Sequence, residues 1–433
     1  MRIENLELIN FKNFTHLNAS FKDGVNLFVG ANGSGKTSLL EGICVAVGAF
    51  FGSQEQKMQR VIAYDEIKIT NGRREEETTV KASDNFYVQG EWSRTIKRNT
   101  KTNDNKKIKS ISEYGGAFFE AFENEKDRNI APIIAFYSTQ RLFKDAHQSK
   151  KQLYDAKMGR RNGYLQCLEE KAIKPLLTEW LKGAVTRRAT FQIKDINNID
   201  NVLENVELAL KEALIFFADL PVNFSLKIYS EPEDDNELYI LFEDQLPLPL
   251  SYYSDGYRNL LFLIIDLVWR ASQLNPWLTL QELKSQLNGV VLIDEIDLHL
   301  HPRWQGKAIV WIQNLFPSVQ FFITTHSPTV VANFENGNLY IIEKEEVKLC
   351  NEKYFGKQVN SILRNILGAP DRHIDTQNKL DRLFQLIDDE ASALEINPLL
   401  EELIHLLGQT DAEIQKAKSL IEWNNYKKEN AIH

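Results

Sequence analysis

The chain has 433 residues, of which 43% are hydrophobic and 26% are charged. This is the composition of a globular protein with a large core, and it excludes a disordered, collagen-like or disulfide-stapled chain. Lys and Arg number 51 against 60 Asp and Glu, so the formal net charge of −9 argues against nucleic-acid-binding charge over the whole surface and leaves a local basic patch open.

Three further features limit the environment of the chain. Cys44, Cys167 and Cys350 lack the spacing of metal ligands, which predicts reduced, mostly buried thiols in a cytoplasmic protein. The opening MRIENLELIN is charged and alternating, unlike a signal peptide. The longest apolar run, near Leu260–Trp269, is interrupted by Asp266 and is too short to span a bilayer.

A glycine-rich segment links the first continuous apolar run to a predicted helix. Val25–Val29 is typical of a strand buried on both faces, and Ser38–Ala49 predicts a helix. Between them, GANGSGKT fits the phosphate-loop pattern G-x-x-x-x-G-K-[ST] in full. Lys36 is expected to reach the β- and γ-phosphates and Thr37 to coordinate Mg²⁺, the alternative being a chance glycine-rich turn. The predicted ATP contacts are Asn13, Gly30, Ala31, Asn32, Gly33, Ser34, Gly35, Lys36, Thr37 and Ser38.

Two basic segments follow. Within a predicted β-rich insertion, residues 53–115, the segment 94–109 carries seven Lys or Arg against one Asp, a local charge of +6, and we expect a mobile loop or hairpin tip there. The second segment, residues 141–161, comes after the apolar strand Ile133–Tyr137 and opens a helical pattern that extends to residue 215. Both are candidate DNA contacts because counterion release favours phosphate backbones. Solvated loops without a partner, or a position beside ATP, are the alternatives.

The segment LSYYSDGYR lies between a predicted hairpin, Phe224–Ser230 with Glu237–Glu243, and a predicted helix, Tyr257–Leu274. Ser254 and Gly256 would place a hydroxyl and a backbone N–H at the N-terminus of that helix, where anions bind. A plain helix cap by Ser254 is the alternative. Because the chain already has one phosphate loop, we expect this second anion site to serve the other subunit of a dimer.

An apolar strand then ends in two acids. The strands Val290–Ile293 and Gln320–Thr324, joined by a helix near Trp304–Leu315, are in βαβ order and predict a partly parallel sheet. Asp294 is expected to hold Mg²⁺ and its waters, and Glu295 to polarise the attacking water. A buried strand that simply exits into solvent is the alternative.

Histidines follow both strands. His326, after the second strand, could as a neutral imidazole contact the γ-phosphate and the attacking water, although a lone His at a strand end is also ordinary. Asp297, His299 and His301 alternate as metal ligands can, but a structural turn is the favoured interpretation.

The tail after Ala369 predicts three amphipathic helices, residues 377–391, 396–408 and 411–426, separated by Asn397-Pro398 and by Gly408. The tail could dock a partner or pack on its own ATPase lobe. The predicted α/β domains are lobe I with the phosphate loop and the basic β insertion (1–140), a helical insertion plus hairpin (141–245), lobe II (246–368) and a C-terminal helical region (369–433).

Together these motifs resemble the ABC-type ATPase heads of the RecF, SMC and OLD proteins. The matching pieces are IENLELINFKNF, GANGSGKT, SDGYRNLL, VVLIDEIDLHLHP and FFITTHS. Such heads bind ATP between two subunits, so the resemblance implies that Ser254 and Gly256 contact the nucleotide of the other subunit. Asp255 and Tyr257 depart from the transporter form LSGGQ, which favours the RecF/OLD branch. The resemblance also implies Gln140, in YSTQR, as a Mg²⁺ ligand, with a plain surface Gln as the alternative.

Within this group the stretches NGYLQCL and SILRNILGAPDRH are similar to those of the PtuA-type ATPases of Septu anti-phage systems, also found with some retrons. No long heptad region separates the two halves, and the short helical tail does not match the toprim nuclease domain of OLD proteins. The resemblance implies an ATP- and Mg²⁺-dependent ATPase without a nuclease site of its own, a homodimer or a larger homo-oligomer built from dimers, and a separate HNH nuclease partner, with no membrane association. A RecF-like clamp acting directly on DNA, or an ATP-gated DNA-binding module with little turnover, are the other functions that stay open.

Overall fold

The computed structural model describes residues 1–54, 58–85, 88–104, 106–123, 128–139, 156–169, 174–193, 201–221, 226–231, 237–242, 248–249, 252–368 and 372–430. The chain forms two compact units, Met1–Ile362 and Leu363–His433. Within the described ranges, no helix is both long enough and apolar enough to cross a membrane.

The strands of the first unit are β1 (Asn5–Phe11), β2 (Phe14–Ser20), β3 (Val25–Val29), β4 (Ile69–Thr70), β5 (Arg73–Arg74), β6 (Glu77–Asp84), β7 (Gly90–Lys97), β8 (Asn103–Asp104), β9 (Ile133–Tyr137), β10 (Leu226–Glu231), β11 (Glu237–Phe242), β12 (Leu248–Pro249), β13 (Gly289–Ile293), β14 (Val319–Thr324), β15 (Asn338–Glu343) and β16 (Glu346–Leu349).

The helices are α1 (Lys36–Gly48), α2 (Lys109–Glu123), α3 (Lys174–Ile193), α4 (Asn201–Ala218), α5 (Asp255–Leu274), α6 (Leu280–Gln286), α7 (Pro302–Leu315), α8 (Pro328–Ala332), α9 (Val359–Asn365), α10 (Ile374–Asp388), α11 (Ala393–Leu407) and α12 (Ala412–Asn430).

The central sheet has the strand order β16-β15-β3-β14-β13-β9. Its strands are parallel except for the edge strand β16, which is antiparallel to β15. Strands β3, β9, β13 and β14 are buried along their whole length, which is why their sequences are continuous apolar runs rather than alternating ones. The predicted α/β class with a mixed, mainly parallel sheet is confirmed. In register, Ile293 pairs with both Ile323 and Tyr137, so these strands end at one level of the sheet.

The second sheet is antiparallel, in the order β2-β1-β6-β7-β8, and α1 packs between the two sheets. The predicted β-rich insertion therefore extends the N-terminal hairpin instead of forming a separate body. Of the two alternatives for 94–109, the hairpin tip agrees with the structure and the mobile loop does not, because β7 pairs antiparallel with β8 and a 3₁₀ turn and the start of α2 follow. Arg94 is 1% exposed, and its Nη2 donates to the carbonyl of Gly48 at 3.4 Å.

Helix α5 packs against α3, α4, α6 and β9. Helix α4 packs along α5, and the predicted hairpin is present as β10 and β11, with β12 added at its edge. Of the helical pattern predicted from residue 141, the described part contains a 3₁₀ segment (Ala156–Tyr164) followed by α3 and α4. Gln140 and residues 141–155 of the second basic segment lie outside the described residues.

The second unit contains the three predicted tail helices, α10, α11 and α12, around their own apolar core. The core includes Leu383, Leu403 and Ile414, each 0% exposed. The prediction that Asn397-Pro398 separates two helices is wrong. Pro398 lies inside α11, which starts earlier, at a capping box formed by Ser392 and Glu395.

Candidate functional site

The candidate site lies at the carboxyl edge of the central sheet. Because β3, β14, β13 and β9 are adjacent and parallel, the residues that follow them meet at one edge. The phosphate loop follows β3, His326 follows β14, and Asp294 with Glu295 follows β13. The three motifs, which are up to 290 residues apart in the chain, are thereby brought together.

The phosphate loop leads directly into α1. Gly35 has φ = +99°, and a Cβ at this position would lie 2.5 Å from the Phe14 ring, so only glycine fits. Lys36 is buried, and its Nζ donates to the carbonyls of Gly30 and Ala31 at 2.8 and 3.0 Å. Burial lowers the pKa of Lys36, and the nearby carboxylates, above all Asp294, oppose that shift.

These residues fit a bound nucleotide phosphate. The buried Oγ of Ser34 has no hydrogen-bond partner among the described residues, and it belongs to a loop whose pattern binds phosphate. The N-terminus of α1 adds backbone N–H donors, and Gly35 caps it without a side-chain bond. The loop from Gly30 to Ser38 would therefore hold the triphosphate.

A hydroxyl and a carboxylate that suit Mg²⁺ lie beside the loop. Thr37 Oγ1 donates to Asp294 Oδ2 at 2.9 Å, which joins the start of α1 to the end of β13. Asp294 is 1% exposed, and its other oxygen accepts from Thr324 Oγ1 at 2.5 Å. Hard oxygen ligands of this kind are those that Mg²⁺ prefers, so Thr37 and Asp294 would hold the ion.

Glu295 has a backbone conformation that its neighbours must hold. Its φ of +47° is uncommon for a residue with a side chain and costs on the order of 1–3 kcal/mol. Its N–H donates to Thr324 Oγ1 at 2.8 Å, and the next N–H, of Ile296, donates to the Thr324 carbonyl at 3.1 Å. Thr324 therefore contacts the backbone of Glu295 and the carboxylate of Asp294 with one hydroxyl.

The imidazole of His326 faces the carboxylate of Glu295, with Nε2 at 4.0 Å from Oε1. Burial lowers the pKa of His326, the charge of Lys36 lowers it further, and the carboxylates of Glu295 and its neighbours oppose the change. The neutral form is therefore favoured at pH 7. A neutral imidazole and a carboxylate side by side can orient a water molecule and share its proton.

Asp297, in the turn that follows β13, supports the loop that contains His326. Its Oδ1 accepts from Thr325 Oγ1 at 2.5 Å and from the N–H of His326 at 3.4 Å. His301 Nδ1 accepts from the N–H of Arg303 at 3.3 Å, at the start of α7. Asp297 and His301 are thus engaged in the turn itself, in line with the structural interpretation and not with a metal site.

The signature turn opens α5. Ser254 occupies the N-cap position, but its side chain makes no cap hydrogen bond and the residue is exposed. The structure therefore does not show the plain helix cap that was the alternative for this residue. Gly256 lies in the first turn, where a Cβ would come within 2.3 Å of the His299 carbonyl. The turn is thereby packed against the loop that follows Glu295 in the same chain.

The other predicted site residues have different outcomes. Asn13 lies beside the phosphate loop, with Nδ2 donating to the Gly33 carbonyl at 3.4 Å. Ser38 is buried at the start of α1. Gln140 falls outside the described residues, so its role stays a prediction. Sequence reasoning missed Thr324 and Thr325. Their position at the end of the strand before His326 was the available signal, but nothing in the sequence shows which acid each hydroxyl contacts.

The comparisons with known proteins can be set beside this geometry. The family model described as "AAA domain, putative AbiEii toxin, Type IV TA system" matches residues 25–332, more than half of the chain. The chain belongs to this family. The match begins at β3 and ends in α8, so it includes the phosphate loop, the acidic strand end and His326. This AAA-domain protein is therefore a P-loop ATPase, and the predicted α/β head is confirmed.

The relatives of this AAA-domain protein agree with the predicted resemblance. "Retron Vc95 probable ATPase" from Vibrio cholerae serotype O1 biovar El Tor is 23% identical, covering 97% of this chain and 86% of the relative. "Septu protein PtuA" from Bacillus thuringiensis is 27% identical, covering 84% of both chains. The similarity to PtuA-type ATPases is confirmed. Among solved structures, "Crystal structure of the SmcHead bound to the C-winged helix domain of ScpA" is 17% identical with a TM-score of 0.46, covering 81% of this chain and 98% of that chain.

Proposed function

We propose that this AAA-domain protein is the ATP-hydrolysing subunit of an anti-phage defence complex. In this proposal it closes into a dimer around Mg²⁺ and ATP, and the closed state regulates a separate HNH-type nuclease. The names of two relatives, one from a Septu system and one from a retron, support the defence role. The observation that carries the proposal is the joining of Thr37 to Asp294 at 2.9 Å, with Glu295 and His326 facing each other beside them.

The signature turn supports ATP-dependent dimerisation. The hydroxyl of Ser254 is exposed and does not cap its own helix, so it is available to a γ-phosphate held by another subunit. The phosphate loop of the same chain already supplies a full set of phosphate donors. A composite site, in which each subunit completes the other's pocket, uses both features.

The described basic residues support a DNA contact in a narrower form than the sequence predicted. Arg94 is buried and Arg160 packs over the rings of Phe122 and Trp277 at 3.9 and 4.4 Å, so neither is a simple phosphate contact. Lys97 is exposed at the end of β7, and Lys107 is exposed in the 3₁₀ turn that precedes α2. We propose that DNA backbone contacts involve these lysines.

The chemistry is tested by Glu295→Gln. We expect ATP turnover to fall at least 100-fold while ATP still binds, since the water would lose its carboxylate partner and the phosphate loop would be intact. The same variant should form an ATP-dependent dimer that persists in size-exclusion chromatography. Glu346→Gln, an exposed change on the edge strand, is the matched control and should behave like wild type. ATP turnover by Glu295→Gln at the wild-type rate would show that Glu295 does not activate the attacking water.

The composite site is tested by mixing two inactive variants. Ser254→Arg should block closure but bind ATP, and Lys36→Ala should lose ATP while keeping its signature turn. Each alone is expected to be inactive. A one-to-one mixture should recover up to about half of the wild-type rate, because neither variant closes with itself and each mixed dimer has one complete site of two. Activity that stays absent on mixing would exclude the composite arrangement.

The nuclease partner is tested by co-expression with a neighbouring HNH protein. We expect the two proteins to co-purify, and DNA cleavage by the complex to differ between ATP and no nucleotide. DNA cleavage by the purified ATPase chain without the HNH protein, by wild type and Lys36→Ala alike, would contradict the proposal that the nuclease site lies on the partner.

A further inference from the structure

A buried polar cluster lies inside the apolar part of α5, away from the phosphate loop. Tyr137, the last residue of β9, donates from its hydroxyl to Asp266 Oδ2 at 2.6 Å, and Arg270 Nε donates to the same oxygen at 2.8 Å. The three residues are 4%, 2% and 0% exposed. Their neighbours on α5 are fully buried apolar residues, namely Ile264, Ile265, Leu267, Val268 and Trp269.

This cluster is not expected to contribute much to the free energy of unfolding. A buried ion pair often contributes no more than the apolar residues that could replace it, because the loss of hydration offsets the attraction. Here Asp266 Oδ1 and Arg270 Nη2 are also buried without a hydrogen-bond partner among the described residues, which adds to the cost. Burial and the Asp266 charge raise the pKa of Tyr137 well above its ordinary value, so its hydroxyl remains a donor. The arrangement therefore calls for a role other than holding the core together.

The cluster joins the nucleotide edge of the sheet to the helix that begins with the signature turn. The Tyr137 carbonyl accepts from the N–H of Asp294 at 2.8 Å. Tyr137 therefore contacts the end of β13 with its backbone and α5 with its side chain. On the far side, Arg270 Nη1 donates to the carbonyls of Gly163 and Leu165 at 2.8 and 3.0 Å. The cluster thus fixes α5 against β9 on one side and against the 3₁₀ segment on the other.

The cluster lies far enough along α5 that a small tilt of the helix at this point displaces the signature turn. Asp266 lies 11 residues after Asp255, the first residue of α5, which at 1.5 Å per residue is about 17 Å. A tilt of about 3–4° about this point would move the signature turn by about 1 Å. A misplacement of about 1 Å in a site that must align on a reacting phosphate can lower the rate about 100-fold.

We propose that Tyr137, Asp266 and Arg270 are positioning residues that orient the signature helix relative to the Mg²⁺ site, so that Ser254 and Gly256 align on the γ-phosphate held by the other subunit. This inference rests on the proposed ATP-dependent dimer. The three residues act through α5 and do not touch the nucleotide themselves.

The test is Tyr137→Phe, with Tyr164→Phe as the matched control. Tyr164 is 0% exposed and its hydroxyl donates to the Pro132 carbonyl at 2.7 Å, so the control also removes one buried tyrosine hydrogen bond but leaves Tyr137, Asp266 and Arg270 unchanged. We expect Tyr137→Phe to bind a fluorescent ATP analogue within twofold of wild type and to lose at least tenfold in kcat. In the Glu295→Gln background it should also weaken ATP-dependent dimerisation at least tenfold. Tyr164→Phe should leave all three measurements within twofold of wild type.

A second variant separates positioning from folding losses. The double change Asp266→Leu with Arg270→Met replaces the pair by apolar residues and leaves no buried charge behind. Because the Tyr137 hydroxyl and the Gly163 and Leu165 carbonyls lose their partners, its free energy of unfolding is measured beside its turnover. We expect it to show the same tenfold loss of kcat and dimerisation as Tyr137→Phe. A merely structural role predicts instead that turnover follows stability.

The outcomes separate this inference from the function on which it rests. If wild type dimerises with ATP but Tyr137→Phe and the double variant match Tyr164→Phe, the positioning role is wrong and the proposed function stands. If wild type shows no ATP-dependent dimer, the proposed function fails and the inference fails with it.

Discussion

The hydroxyl of Thr324 offers a sharp test of how the site is held together. Thr324 is 0% exposed, donates to Asp294 Oδ1 at 2.5 Å and accepts from the N–H of Glu295 at 2.8 Å. Thr324→Val keeps the shape of the side chain and removes both bonds. Thr324→Ser keeps the hydroxyl and is the matched control.

The magnitude follows from those two bonds. A hydrogen bond to a charged group contributes about 1.5–3 kcal/mol, and a buried N–H left without a partner costs about 1–3 kcal/mol. We therefore expect Thr324→Val to lower the free energy of unfolding by about 3 kcal/mol. Glu295 would also lose a contact that holds its left-handed backbone, and a displacement of about 1 Å at the reacting water would lower kcat about 100-fold.

The assay measures three quantities on the same samples: ATP turnover, binding of a fluorescent ATP analogue and chemical denaturation. We expect Thr324→Val to bind the analogue within threefold of wild type, since Lys36 and its loop are unchanged, and to lose turnover. Thr324→Ser should stay within about threefold of wild type in all three. Turnover by Thr324→Val at the wild-type rate would refute the reasoning that this hydroxyl positions Glu295.

Two further predictions concern protonation and DNA. Because burial and Lys36 lower the pKa of His326, kcat should be flat from pH 8 down to the ordinary histidine value of about 6.5 and fall only below it. His326→Gln should have a low rate without that acid limb, and an acid limb that persists in His326→Gln would assign the titration to another group. Lys97→Glu with Lys107→Glu should weaken binding to a labelled duplex and reduce the salt slope by about 2, since about one counterion is released per contact. Lys344→Glu with Lys353→Glu, two exposed changes outside the basic segment, is the control because it changes the net charge by the same amount, and an equal loss there would indicate a general charge effect.

The sequence alone could predict the chemistry-bearing residues because each motif is local. The glycine pattern before Lys36 and the apolar run before Asp294 specify a loop and a strand end within a dozen residues of the chain. The parallel pairing of β13 with β14 follows from the βαβ order, whereas the place of β3 beside β14 is seen only in the structure. The buried strands could also be predicted, since a run that is apolar on both faces has few other places to lie.

The contacts between motifs could not be predicted in the same way. Thr324 and Arg94 are single polar residues in or beside apolar strands, and the sequence does not show whether their side chains face a carboxylate, a carbonyl or solvent. Arg94 counted as part of a basic loop only because its neighbours are charged, whereas pairing of β7 with β6 turns its side chain toward α1. Pro398 was likewise misplaced, because the capping box formed by Ser392 and Glu395 starts α11 before the proline, which then lies inside the helix.

Two different requirements could explain a glycine at position 256 of the signature turn. The sequence interpretation assigns this glycine to a contact with a nucleotide on another subunit, but the structure also requires it within one chain, where a Cβ would meet the His299 carbonyl at 2.3 Å. The two requirements are compatible, since both a nearby phosphate and the His299 carbonyl can call for a residue without a side chain. The loop containing His299 follows Glu295 directly. It follows that loss of activity in a Gly256 variant cannot by itself demonstrate a contact between subunits, whereas Ser254, which is exposed and free of that packing, can.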